Sequence, residues 1–188
     1  MIGFWRIPPN RPIKTLLSAA AMILMAVAAW CAPVDVPERA SENEAPLQQE
    51  PVLLYFADAG GRALKPEQFI MPPQSAPQGV GRAIVEALVK GPSSPSLSPT
   101  LPAGVAVKGF YIAPGKTAVV DLDNTARDRH PGGIMAETLS IFSIVNALVL
   151  NMPDIEQVKV LFNGQEVKTF AGHIDLQLPL KANILLIR

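Results

Sequence analysis

The chain reads as an α+β domain, a mainly antiparallel sheet with two helices packed on one face, in the order ββαββαββ. Three observations predict this. Apolar residues recur with helical spacing in two places only, Val80 to Val89 and Ile134 to Met152. The other apolar runs are short, rich in strand formers and arranged in pairs. The links inside those pairs are too tight for a crossover, so the paired strands must be antiparallel.

The domain is expected to begin near Pro51. VLLYF at 52 to 56 is a continuous apolar run, as expected of an inner strand covered on both faces. Asp58, Gly60 and Gly61 signal a turn, and Gln68 to Met71 a second, weaker strand that Pro72 and Pro73 end. Val80, Ile84, Val85, Leu88 and Val89 mark one face of a helix over 79 to 90. Gly91-Pro92 stops it, since glycine takes the left-handed conformation after the last turn and proline cannot continue the helix.

Residues 92 to 104 are rich in serine and proline and read as a connector. A strand over Val105 to Ile112, a turn at APG and a returning strand TAVVDLD at 117 to 123 follow. The second helix, 133 to 151, shows one broad apolar face from Ile134 to Met152, with Asn151 as its C-terminal cap and Pro153 closing it. VKVLF, then Asn163-Gly164, then QEVKTF reads as a hairpin on a two-residue turn, because Asn-Gly accepts positive φ at both positions.

The first 50 residues differ in kind. No charged residue occurs from Leu16 to Val34, and Arg6, Arg11 and Lys14 lie just before that run. Residues 1–34 are therefore expected to be a signal sequence or an N-terminal membrane anchor, with the cationic side cytoplasmic. The length falls between signal cores of about 7 to 15 residues and spans of about 17 to 25. Retention, cleavage near Ala29 to Ala32 and lipidation at Cys31 all stay open. Cys31 stands where a lipoprotein signal places its acylated cysteine, although Trp30 occupies a position that calls for a small residue. Each route exports the remainder to the periplasm or extracytoplasmic space. With one cysteine the chain can form no internal disulfide. Residues 35–50, DVPERASENEAPLQQE, have the composition of a disordered acidic linker. The folded domain is assigned to 51–188.

Charge excludes some functions. The chain carries 16 basic and 16 acidic residues, and setting aside the three basic residues of the leader leaves 13 against 16. There is no basic patch or stripe, so no nucleic-acid partner is expected. Neither a phosphate-cradling Walker loop nor a dinucleotide fingerprint occurs, so no cofactor is expected.

Catalytic inventory is thin. Ser93, Ser94, Ser96 and Ser98 lie in the connector, none in a GxSxG setting. Asp121 and Asp123 are two apart on a strand and would share a face, with edge polarity or turn capping the ordinary role. His173 and Asp175 in GHID would share a face too, as a closing motif of the sheet. Two histidines and a membrane-proximal cysteine do not supply a closed zinc site, which leaves only an oxygen site for a hard cation among the aspartates. Arg127, Arg129 and His130, just before Pro131-Gly132-Gly133 and the second helix, are the candidate ligand or partner contacts.

In this order the pieces resemble a known family. VLLYF at 52 to 56, ALVKGP at 87 to 92, LPAGVAVKGFYI at 101 to 112, AVVDLD at 118 to 123, ETLSIFSIVNALV at 137 to 149, VKVLFNGQEV at 158 to 167 and AGHIDLQLP at 171 to 179 resemble the GerMN domain. It is also called the sporulation and spore germination domain. The resemblance covers about residues 51 to 180; the tail from Leu180 lies outside it and is expected to add an edge strand or a partner contact. It implies a compact α+β module of envelope or exported proteins, best understood in spore formers as an assembly component between membranes. Members outside spore formers carry one copy behind a signal or lipid anchor, as here, rather than two. The family has no attributed catalytic residues, so none is carried over. The expected function is a non-enzymatic envelope interaction module that helps to assemble or maintain an envelope complex through an envelope protein partner. The alternative is an extracytoplasmic binder of a small ligand or cell-wall fragment, with the loops at 92 to 104 and 127 to 133 as its mouth.

Overall fold

The computed structural model describes residues 51–188. The expected signal sequence or anchor, Cys31 and the expected linker lie outside the described residues.

Strand β1, Pro51–Asp58, is the centre of a three-stranded sheet, and Leu54, Tyr55, Phe56 and Ala57 are all buried in succession. Both its faces are covered, as the unbroken apolar run predicts. Strand β2, Leu64–Ile70, pairs with it antiparallel and starts four residues before the expected Gln68. Pro66 sits within β2 opposite Tyr55, which is tolerated because β2 is an edge strand and a missing N–H breaks no inner ladder. The connecting turn is tied by Asp58 Oδ1, which accepts from the N–H of Arg62 at 2.7 Å and of Ala63 at 3.3 Å.

Helix α1, Pro77–Lys90, starts on a proline and ends at Gly91, whose φ of 90° and N–H to Leu88 O give the predicted stop. The connector then contributes a two-residue strand, β3, Leu97–Ser98, on the free side of β1. Strands β4, Val107–Ala113, and β5, Thr117–Leu122, form the predicted antiparallel pair, and Gly115 and Lys116 both take positive φ in the turn. One helical turn, α2, Thr125–Asp128, leads into α3, Ile134–Asn151.

Strand β6, Gln157–Phe162, runs parallel to β5, and β7, Leu180–Lys181, is antiparallel to β6, completing a four-stranded sheet in the order β4-β5-β6-β7. With β3 and α2 set aside the order is ββαββαββ, and most pairings are antiparallel, as expected. The strands nevertheless divide into two sheets, and α1 and α3 each touch both. Helix α3 is buried round most of its circumference from Leu139 to Leu148, rather than along one face. Its length and apolarity match a membrane span, and its position against β1 and β6 makes it the core helix of this domain.

The Asn163-Gly164 turn forms, with φ of 49° and 73° and paired hydrogen bonds between Phe162 and Gln165. The hairpin ends at that one bridge, so the expected returning strand QEVKTF is corrected to an irregular segment. Phe170 explains the departure. Its ring is fully buried and stacks at 5.8 Å on Phe162, so the chain must leave the ladder to place it in the core. The tail takes the vacated strand position as β7. Ile187 then bridges Leu64 of the other sheet, and Arg188 N–H donates to Leu64 O at 2.9 Å.

Candidate functional site

The connector is anchored at both ends. Glu67 of β2 accepts the N–H groups of Ser93 at 3.0 Å and Ser94 at 2.7 Å, and Thr100, Leu101 and Val105 are buried. Ser94 and Ser96 bond each other at 2.8 Å, and Ser98 lies in β3. The four serines are turn and edge residues, as their setting predicts.

The second loop brings His130 over α3. Gly132 N–H donates to His130 Nδ1 at 3.0 Å, so Nδ1 is the bare nitrogen and Nε2 carries the hydrogen. Nε2 lies 2.9 Å from Ser140 Oγ and donates to it. Ser140 in turn directs its own hydrogen to a carbonyl, that of Thr100 or that of Ala136. Burial holds the imidazole below its usual pKa, with the charge of Glu137 partly opposing, and the ring packs edge-on to Phe170 at 4.7 Å. A nucleophilic serine requires an imidazole nitrogen that accepts its proton. Here the imidazole donates, so the pair is a clasp holding both loops to α3. Thr100 Oγ1 and Ser143 Oγ, 2.8 Å apart, extend it, with Ser143 donating to Ser140 O at 3.1 Å.

Between the two loops lies a cavity of about 280 Å³. Ser98 to Pro102 form one wall, Arg129 to Pro131 another, and Ala136, Leu139 and Ser140 of α3 the floor. Arg129 and His130, two of the three expected contact residues, line this cavity. Arg127 is not part of it. Its Nε donates to Phe170 O at 2.8 Å and its guanidinium lies 5.5 Å from the centre of the Phe162 ring, so it supports the core behind the site. The Arg129 guanidinium is exposed beside Gly104 and has no ion-pair partner among the described residues.

The two aspartates bind backbone separately. Asp121 Oδ1 accepts from Gly164 N–H at 2.9 Å; Asp123 accepts from Ala106 N–H at 3.0 Å and from the Thr125 hydroxyl at 2.8 Å. Among the described residues no three His, Cys, Asp or Glu side chains converge as a metal site. The GHID segment is irregular rather than a strand, and its organiser is Glu137, a residue the sequence reading passed over. A signal existed, since Glu137, Ser140, Ser143 and Asn146 recur every third position inside an apolar helix. Each is buried and each bonds another segment or its own helix. Lys159 was also missed: 8% exposed, it donates to the carbonyls of Leu176 at 3.1 Å and Gln177 at 2.7 Å and pairs with Glu166 at 3.2 Å.

These features define a small α+β module whose polar core residues tie loops to a central helix. A profile of the family Germane, described as sporulation and spore germination, matches residues 53–168, and the chain belongs to that family. Similar folds occur in the tandem GerMN domains of the sporulation protein GerM from Bacillus subtilis, with a TM-score of 0.59 and 20% identity over 70% of this chain and 46% of that one. The first GerMN domain of the same protein gives a TM-score of 0.59 and 21% identity, over 70% of this chain and 97% of that one. A candidate lipoprotein from Clostridium perfringens gives 0.52 and 24%, over 70% and 87%. The chain thus spans less than half of the tandem-domain chain. Comparison with curated protein sequences gives no match.

Proposed function

We propose that the protein is a non-enzymatic interaction module of the cell envelope, held on the outer side of the inner membrane by its N-terminal segment and contributing to assembly or maintenance of an envelope complex with a protein partner. The observation that carries this reading is β4. Among the described residues its outer edge has no strand neighbour and only the Val107 carbonyl at its start is covered, by Arg82 Nη2 at 3.0 Å; it runs for seven residues, and Tyr111 on it is 59% exposed. An edge left open over most of that length is a template for an added strand. The inverted His130–Ser140 pair supports the absence of catalysis, and the family and the uncharged run of residues 16–34 support the location.

A photo-crosslinking amino acid at Tyr111 in the full-length protein, irradiated in intact cells, tests this. Adducts with envelope proteins from Tyr111, and none from the exposed Gly60 turn between β1 and β2 of the other sheet, are expected. The absence of adducts from several β4 positions under several growth conditions would sink the reading.

A second reading, binding of a small ligand or cell-wall fragment, is favoured by the cavity that the two predicted loops enclose. Retention of the full-length protein on cell-wall digests, lost on filling the cavity, is its expected sign.

A further inference from the structure

We propose that the cavity between Ser98–Pro102 and Arg129–Pro131 receives the free carboxylate end of a short peptide whose last residues are small and apolar. The inference rests on the second reading and adds the chemical class of the ligand. Three properties lead to it.

Size comes first. The cavity, about 280 Å³, lies just below the range of about 300 to 1,000 Å³ usual for ligand pockets, so it fits one or two small residues rather than a sugar chain.

Wall chemistry comes second. Pro99, Pro102, Pro131, Ala136 and Leu139 supply apolar surface. Of the uncharged polar side chains in its lining, His130 and Ser140 are engaged with each other, Ser140 also with carbonyls of the protein, and Thr100 with Ser143, which leaves Ser98 alone to meet a polar ligand. A ligand rich in hydroxyls would lose its bonds to water with little replacement, whereas alkyl groups lose nothing.

Charge comes third. Among the described residues Arg129 is the only charged one lining the cavity, and its guanidinium has no ion-pair partner there. Asp58, the neighbour of the cavity residue Ala57, has its carboxylate engaged by the Arg62 and Ala63 amides of its own turn. A planar guanidinium carried by a residue that lines an apolar hollow matches a carboxylate joined directly to an alkyl-bearing carbon, which is the end of a peptide.

The test is titration of the purified full-length protein with N-acetyl-alanyl-alanine bearing a free carboxylate, and with the same peptide as its carboxamide, each in L,L and D,D form. Calorimetry and the methyl resonances of Ala57 and Leu139 report binding. The acid is expected to bind at least tenfold more tightly than the amide. Arg129→Gln should bring the acid down to the level of the amide, and Ala136→Leu should remove both by filling the cavity. Because Arg129 is exposed, its variant tests the proposal even if the cavity variant fails to fold. A D,D preference identifies cell-wall stem peptides as the source and an L,L preference protein C-termini; either supports the class. Equal binding of acid and amide, lost in Ala136→Leu, would overturn the carboxylate assignment and leave the cavity a binding site. No response to either peptide or to a cell-wall digest would overturn both.

Discussion

The Glu137 carboxylate, fully enclosed on α3, lies 2.6 Å from His173 Nδ1, and the His173 side chain remains 47% exposed. The same carboxylate accepts backbone N–H groups of Ala171 at 3.1 Å and His173 at 3.0 Å, with a longer contact to Ile174 at 3.4 Å. One buried acid thus fixes the whole segment that follows Phe170. Burial alone would raise its pKa; the His173 ring and the backbone donors outweigh that and bring it to about 2, from the usual 4.5.

Acid should release this latch. A carboxylate depressed in the folded state contributes stability that is fully present above pH 4.5 and is lost as pH falls towards 2. The shift corresponds to a contribution on the order of 3 kcal/mol. Denaturant midpoints of the full-length protein should fall over that window, and Glu137→Gln should flatten the fall while lowering stability at pH 7. An unchanged acid profile in the variant would remove Glu137 from this role.

His130 should act in a higher window. Its folded pKa lies below 6.5, so its contribution is complete above pH 6.5 and declines as pH drops below that value. Imidazole resonances followed by NMR should show His130 titrating below 6.5. A titration above 6.5 would contradict the bare Nδ1 facing the Gly132 amide.

Ser140 should be inert. It is 2% exposed and its imidazole neighbour presents N–H rather than a lone pair. A fluorophosphonate probe should leave it unlabelled in the intact protein, and labelling lost on Ser140→Ala would refute the clasp.

Gly81 should tolerate no side chain. A Cβ there would lie 2.0 Å from the Phe110 ring, between α1 and β4. Gly81→Ala is expected to cost about 1 to 3 kcal/mol by overpacking, despite the gain in helix propensity. At Gly79 the nearest group is the end of the flexible Gln74 side chain, so Gly79→Ala should change stability by under about 1 kcal/mol. Equal urea midpoints for the two variants would count against this packing.

Asn151 shows where reading the sequence stops. Its place at the end of an apolar helix predicts a cap; it is instead the last residue of α3, with Met152 in the cap position, and its amide donates to Ala147 O at 2.6 Å. Its amide also reaches β1, accepting from Leu53 N–H at 2.9 Å and donating to Leu53 O at 2.8 Å, as a neighbouring strand would. That second role depends on β3 stopping at Leu97–Ser98 and leaving Leu53 without a partner on that side. Arg127 and Arg129 diverge for a related reason. They are two residues apart on one short turn, so one side chain turns in to Phe162 and Phe170 and the other out to the cavity rim.

Period, turn chemistry and helix stops are local, and they determined the order of the main elements as far as β6, both helices, the β4–β5 pair and the Asn163-Gly164 turn without reference to anything distant. Which strands share a sheet, that β5 and β6 run parallel, that Phe170 pulls the chain off its hairpin, and that Glu137 captures the GHID segment were decided only by tertiary structure. Each of those outcomes depends on burying groups far apart in the chain together, and a buried ring or carboxylate selects its partners by space and hydrogen bonding rather than by spacing along the sequence.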